Sequence, residues 1–184
     1  KMYKDKKNVL YEICNEPTHT PWATIRGYAQ AVEATIRAND PDAIIIVGTN
    51  TWSQDIQEVT SKTKLDDANT MYTFHFYAGT HGENMRTRVA NALQAGTPVF
   101  VTEFGICDSS GNGGFNVEEA DKWIEFLEEN GVSYCCWSLT NKDESASYLS
   151  PLSNKKSGWT NADLGGTGAW LVNTYRKMAD KESG

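Results

Sequence analysis

Two glutamates close apolar runs of matching character, Glu16 in Tyr11-Glu-Ile-Cys-Asn-Glu-Pro17 and Glu103 in Val99-Phe-Val-Thr-Glu-Phe-Gly105. A carboxylate is costly to hold at the end of an apolar strand unless it is paired or used. Two in equivalent positions therefore point to one general acid/base and one nucleophile. Other residue types suited to such work stand at the ends of other apolar runs: Asn15, Trp52, His75, Tyr77 and Trp137. His75 and Tyr77 are two apart, so on a strand they leave the same face, although singly either could be a satisfied core residue. Metal chemistry has no support, because His19, His75 and His81 form no HExxH or related spacing with Glu16 and Glu103. Nor does the glycine loop Gly111-Asn-Gly-Gly114 match a phosphate cradle; it has neither GxGxxG nor a following Lys-Ser/Thr, and reads as a lid or turn. Cys14, Cys107, Cys135 and Cys136 lack zinc spacing and read as free core thiols.

The elements that must position these residues alternate between strand and helix. A strand over 9–14 is followed by a helix that Thr20 caps, with Pro21 at its first position; Ile25, Tyr28, Ala29, Val32 and Ile36 recur at helical spacing until Asn39-Asp-Pro41. Residues 43–48 form a continuous apolar run of the kind buried on both faces of a parallel sheet, and 71–77 form a third strand. A helix over 84–95 closes at Gly96, with a fourth strand over 99–103. Asn116 with Glu119 three residues on has capping-box spacing, and that helix ends at Gly131. A fifth strand spans 134–139 and a last helix 167–179. Strand–helix alternation with doubly buried strands predicts an α/β fold with parallel pairing, and the ligand site of such folds lies at the carboxyl ends of the strands. Trp22, Trp123 and Trp170 fall in or beside helices and read as packing.

The chain has 184 residues, a length that suits a single domain over 1–184. A net charge of −7, with no Lys/Arg cluster on one face, argues against a nucleic-acid partner. The longest apolar runs are too short for a membrane segment. The stretch Lys1-Met-Tyr-Lys-Asp-Lys-Lys7 is too charged for the apolar part of a signal peptide.

Five segments in order, Ile13-Cys-Asn-Glu-Pro17, Ile46-Val-Gly-Thr-Asn-Thr-Trp-Ser53, Phe74-His-Phe-Tyr-Ala-Gly-Thr-His-Gly82, Val101-Thr-Glu-Phe-Gly105 and Trp137-Ser-Leu-Thr-Asn-Lys-Asp-Glu-Ser145, resemble bacterial endo-β-1,4-glucanases of glycoside hydrolase family 5. The resemblance implies a (β/α)8 barrel of which only the fourth to eighth strand–helix units are present. It implies retaining hydrolysis of internal β-1,4-glucosidic bonds in cellulose or a related β-glucan, with Glu16 as acid/base, Glu103 as nucleophile and no metal or cofactor. Asn15, His75, Tyr77, Trp52, Trp137, Lys142 and Glu144 become substrate-binding positions by the same resemblance, and secretion follows from the substrate. A mannan- or mixed-linkage-cleaving relative, or a sugar-binding fragment without turnover, are the alternatives. The absent first three strands would leave the strands over 9–14 and 134–139 as open edges, which predicts cover by the missing N-terminal segment or a second copy.

Overall fold

The computed structural model describes residues 2–3 and 6–182. Its five strands are β1 (Leu10–Glu12), β2 (Ile44–Val47), β3 (Thr70–Tyr77), β4 (Val99–Gly105) and β5 (Tyr134–Cys136), hydrogen-bonded in sequential order. Pairing is parallel, with Leu10 opposite Ile44 and Ile45 opposite Thr70. The same direction continues across β3 and β4, where Tyr72 N–H bonds Pro98 O and Ala78 N–H bonds Gly105 O. Val101 N–H to Ser133 O and Trp137 N–H to Phe104 O extend it to β5. An order that never reverses is that of a barrel's successive βα units; a doubly wound sheet would have a switch point.

The helices are α1 (Trp22–Arg37), α2 (Glu83–Gln94), α3 (Val117–Glu129) and α4 (Gly166–Glu182). Between β2 and β3 there is only a four-residue helical turn, Asn50–Ser53, and a 3-10 turn, Ile56–Glu58. No helix among the described residues is long and apolar enough to cross a membrane.

Most boundaries follow from local chemistry. The Asn116 side chain accepts from Glu119 N–H at 3.2 Å to start α3, and Gly96 and Gly131 lie at φ +77° and +61° just beyond α2 and α3, where a Cβ would be disfavoured. The start of α1 corrects the expected cap. Pro21 itself is the N-cap residue, because the Thr20 hydroxyl is turned back to Thr18 O (3.0 Å) and its N–H goes to Asn50 Oδ1 (3.2 Å). The fifth strand is shorter than expected and ends at Cys136, since Ser138 N–H leaves the ladder for Ala146 O at 3.0 Å.

The chain divides into two compact units, and the divisions fall inside β3 after His75 and inside β4 after Thr102. The first unit runs to His75 and adds Glu83–Thr102 and Gly131–Ser133. Its core is the β-branched run Ile45–Val47 with Phe74, Val89 and Val101, all buried, and Trp22 set edge-on to Tyr72. The second unit comprises Phe76–Gly82, Glu103–Asn130 and residues from Tyr134 onward. It is built on stacked aromatics, with Phe76 between Trp123 (centroids 3.9 Å apart) and Phe104 (5.2 Å). Trp123 also donates its Nε1–H to His81 O at 2.8 Å. Each such fully buried ring contributes about 2 kcal/mol by burial. Trp22, Trp123 and Trp170 thus pack as expected, the last with its Nε1–H on Asp121. The thiols correct one expectation: all four are free, but Cys135 is exposed rather than in the core.

Candidate active site

In the first unit the chain leaves β1 and crosses the end of β2, where space is tight. A Cβ on Gly48 would stand 2.8 Å from Cys14 O and 2.9 Å from Asn15 O, so only glycine lets this segment lie so close. The segment delivers Glu16, one-quarter exposed, to His75 on β3, which is 2% exposed. Glu16 Oε1 lies 2.8 Å from His75 Nδ1. On the other side of the ring, Nε2 lies 2.9 Å from Thr102 Oγ1, and Thr102 donates to Glu12 Oε1 at 2.7 Å. The hydroxyls of Thr73 and Thr102 are also in contact. Glu12, Thr73 and Thr102 were not singled out in the sequence. The available signal was Glu12 itself, a charge within the run expected as the strand over 9–14.

Asn15 is exposed, and its backbone carbonyl accepts the Ser53 hydroxyl at 2.8 Å. That bond helps hold an unusual turn, for Thr51, Trp52 and Ser53 all lie in the left-handed region at φ 55°, 54° and 58°. For non-glycine residues this costs of order 1–3 kcal/mol each and persists only where surroundings impose it. Here the restraints are Thr51 Oγ1–H to Asp55 at 2.6 Å, Trp52 N–H to Pro17 O at 3.1 Å and the Ser53 bond. The turn leaves the Trp52 indole about half exposed, edge-on to the His19 ring.

In the second unit Tyr77, at the end of β3, donates its hydroxyl to Glu103 Oε1 at 2.7 Å. Tyr77 N–H in turn donates to His81 Nδ1 at 2.9 Å. The phenol ring lies over Gly105, where a Cβ would come within 2.5 Å of two ring carbons. Gly105 was quoted in the sequence only as part of a motif; its role is to make room for the ring that holds Glu103. Trp137 follows β5 with 45% exposure and precedes a cis peptide to Ser138. Lys142 and Glu144 form an exposed ion pair at 3.8 Å, worth little in stability. The glycine loop is a turn around Asp108, which accepts from Ser110 N–H at 2.8 Å. Ala146 N–H ties it down through Gly111 O at 2.9 Å.

Burial favours the protonated form of Cys14, Cys107 and Cys136. It pushes Cys107 up to about 11 and Cys136 up to about 12, and raises Cys14 as well. A protonated thiol is a poor nucleophile.

A family model described as Cellulase (glycosyl hydrolase family 5) matches residues 1–143. Endoglucanase A of Evansella cellulosilytica is 48% identical over 181 residues, 97% of this chain and 37% of that protein. Endoglucanase 5 of Pectobacterium carotovorum is 46% identical over 185 residues, 100% of this chain and 36% of that protein. The catalytic domain of Thermobifida fusca endoglucanase Cel5A superposes with a TM-score of 0.89 at 33% identity, over 95% of this chain and 59% of that one. A variant of that domain has been solved with cellotetraose. The chain thus spans little more than a third of the length of these two sequence relatives. With its strand order, the match places the chain in the (β/α)8 barrel fold class, with five strands present.

Proposed function

This chain belongs to glycosyl hydrolase family 5, and we propose that its residues carry out retaining hydrolysis of internal β-1,4-glucosidic bonds, with Glu16 as acid/base and Glu103 as nucleophile. One observation carries the reading: each carboxylate follows or closes a strand and is held by a hydrogen bond within its own unit, Glu16 by His75 and Glu103 by the Tyr77 hydroxyl. In the first step Glu16 passes its proton to the glycosidic oxygen as Glu103 attacks the anomeric carbon, forming a glycosyl ester and releasing one half of the glucan. In the second step Glu16, now a carboxylate, takes a proton from water, whose oxygen displaces Glu103. The Tyr77 hydroxyl keeps the nucleophile aimed and lends it a hydrogen bond.

The remaining positions form the substrate's surroundings. Asn15 bonds the 2-hydroxyl of the reacting sugar, and Trp52 and Trp137 offer flat faces to pyranose C–H groups. Lys142 and Glu144 reach hydroxyls further along the glucan. The cellotetraose bound by the Thermobifida fusca relative supports a β-1,4-linked glucose polymer as the substrate. An insoluble polymer of this kind is met outside the cell, so the protein acts extracellularly. The open edges of β1 and β5 are covered by the preceding strand–helix units, or by a second copy.

Reducing-end release from soluble carboxymethylcellulose tests the reading, measured on this chain together with a polypeptide that supplies the preceding units. Glu103→Gln and Glu16→Gln are each expected to lower the rate by about 10³-fold or more. A Glu103→Gln rate equal to that of the unaltered chain sinks the catalytic assignment. Tight glucan binding with no turnover in either form favours a sugar-binding fragment instead.

A further inference from the structure

The hydroxyl of Thr102 has one proton to give and two lone pairs. Glu12 is an acceptor, and Thr102 donates to its Oε1 at 2.7 Å. With that proton committed, the contacts with Thr73 Oγ1 and with His75 Nε2 (2.9 Å) must be ones in which Thr102 accepts. Thr73 has its own proton for this, and it receives Thr102 N–H in return at 3.4 Å. His75 can meet Thr102 only with a hydrogen on Nε2. The ring's other nitrogen, Nδ1, lies 2.8 Å from Glu16 Oε1.

We propose that Glu12 and Thr102 are positioning residues that lock a proton onto His75 Nε2, so that Nδ1 and Glu16 share one proton between them. When Glu16 holds it, the carboxyl donates to the Nδ1 lone pair of a neutral ring. When Nδ1 holds it, an imidazolium faces a carboxylate. In either case one hydrogen lies between Glu16 Oε1 and Nδ1. The opposite tautomer, with hydrogen on Nδ1 and a lone pair on Nε2, would keep the ring neutral beside an ionised Glu16 and supply no acid. His75 is almost fully buried, so the choice is made by these protein groups. The inference deepens the assignment of Glu16 as acid/base and depends on it for its catalytic meaning, but its structural content can be read without turnover.

The test is long-range 1H–15N correlation spectroscopy of the histidine rings in the 15N-labelled chain. There are three histidines, and His75→Asn assigns the relevant one. The expected result is a protonated, pyrrole-type Nε2 at every pH at which the chain is folded. Thr102→Ser keeps that pattern, whereas Thr102→Val, of nearly the same shape, brings up a pyridine-type Nε2 signal. Glu12→Leu, which frees the hydroxyl proton to turn toward the ring, brings up the same signal and decides the point should the valine variant not fold. An unprotonated Nε2 in the unaltered chain overturns the proposal, as does an Nε2 signal left unchanged by the folded variants. Because no substrate is present, a failure of hydrolysis leaves this result standing, and a wrong tautomer leaves the hydrolytic reading to its own test.

Discussion

At the scale of single residues, Tyr77 and Gly105 are a matched pair: the ring that holds Glu103 occupies the place where a side chain at 105 would begin. Gly105→Ala is expected to displace the phenol. A shift of about 1 Å at a reacting group can cost about 10²-fold in rate, while crowding of this kind costs about 1–3 kcal/mol of stability. Turnover measured beside thermal unfolding checks it, and unchanged turnover in a folded variant counts against the role given to Tyr77. The glutamates and their partners were legible in the sequence because a polar group closing an apolar run is conspicuous. Thr102 and Gly105 were not, for a threonine in a strand is unremarkable, and a glycine declares its purpose only when the atom it makes room for is known. Glu12 had a visible signal, but it lay four residues before Glu16 and was overshadowed by it.

At the scale of elements, Arg37 in the last turn of α1 closes a two-pronged grip on Asp67 in the approach to β3, with bonds of 2.6 and 2.9 Å. The same guanidinium donates to Ala43 O at 2.6 Å just before β2, so one side chain ties three elements together. The grip holds the Asp67 carboxyl down from 3.8 to about 2. As pH falls through that interval the unfolded chain takes up the proton first, so the contribution is complete above about pH 4 and lost toward pH 2. The shift corresponds to about 2 kcal/mol, and Asp67 is largely shielded from solvent. Asp67→Asn is expected to remove about that much stability at neutral pH and to flatten the acid limb of a denaturant-midpoint against pH curve. An unflattened limb contradicts it. Periodicity and caps found the helices to within a few residues, because glycines and the Asn116 cap act locally. The start of α1 was missed because Thr20 is engaged by Asn50, thirty positions away, which no local pattern encodes.

At the scale of the whole molecule, the chain presents in β1 and β5 strands with one neighbour each in a sheet whose inner pairs are parallel and apolar. Leu10 and Ile44, opposite one another in the register, are 46% and 38% exposed. Such edges and uncovered apolar side chains favour association. Light scattering is expected to show this chain alone as larger than a monomer, and to show a one-to-one complex when the preceding strand–helix units are supplied; a well-behaved monomer on its own contradicts the cover proposed for the edges. The class of fold was legible because doubly buried β-branched runs alternating with capped helices admit few architectures. The division of the chain within β3 and β4 was not, since each reads in the sequence as one continuous strand.

The backward-wound stretch at Thr51, Trp52 and Ser53 makes the heading of side chain 52 a property of the main chain, inherited by whatever residue occupies the position. A substitution library at 52 therefore samples different chemistries at constant direction, whereas one at 51 or 53 samples directions at constant chemistry.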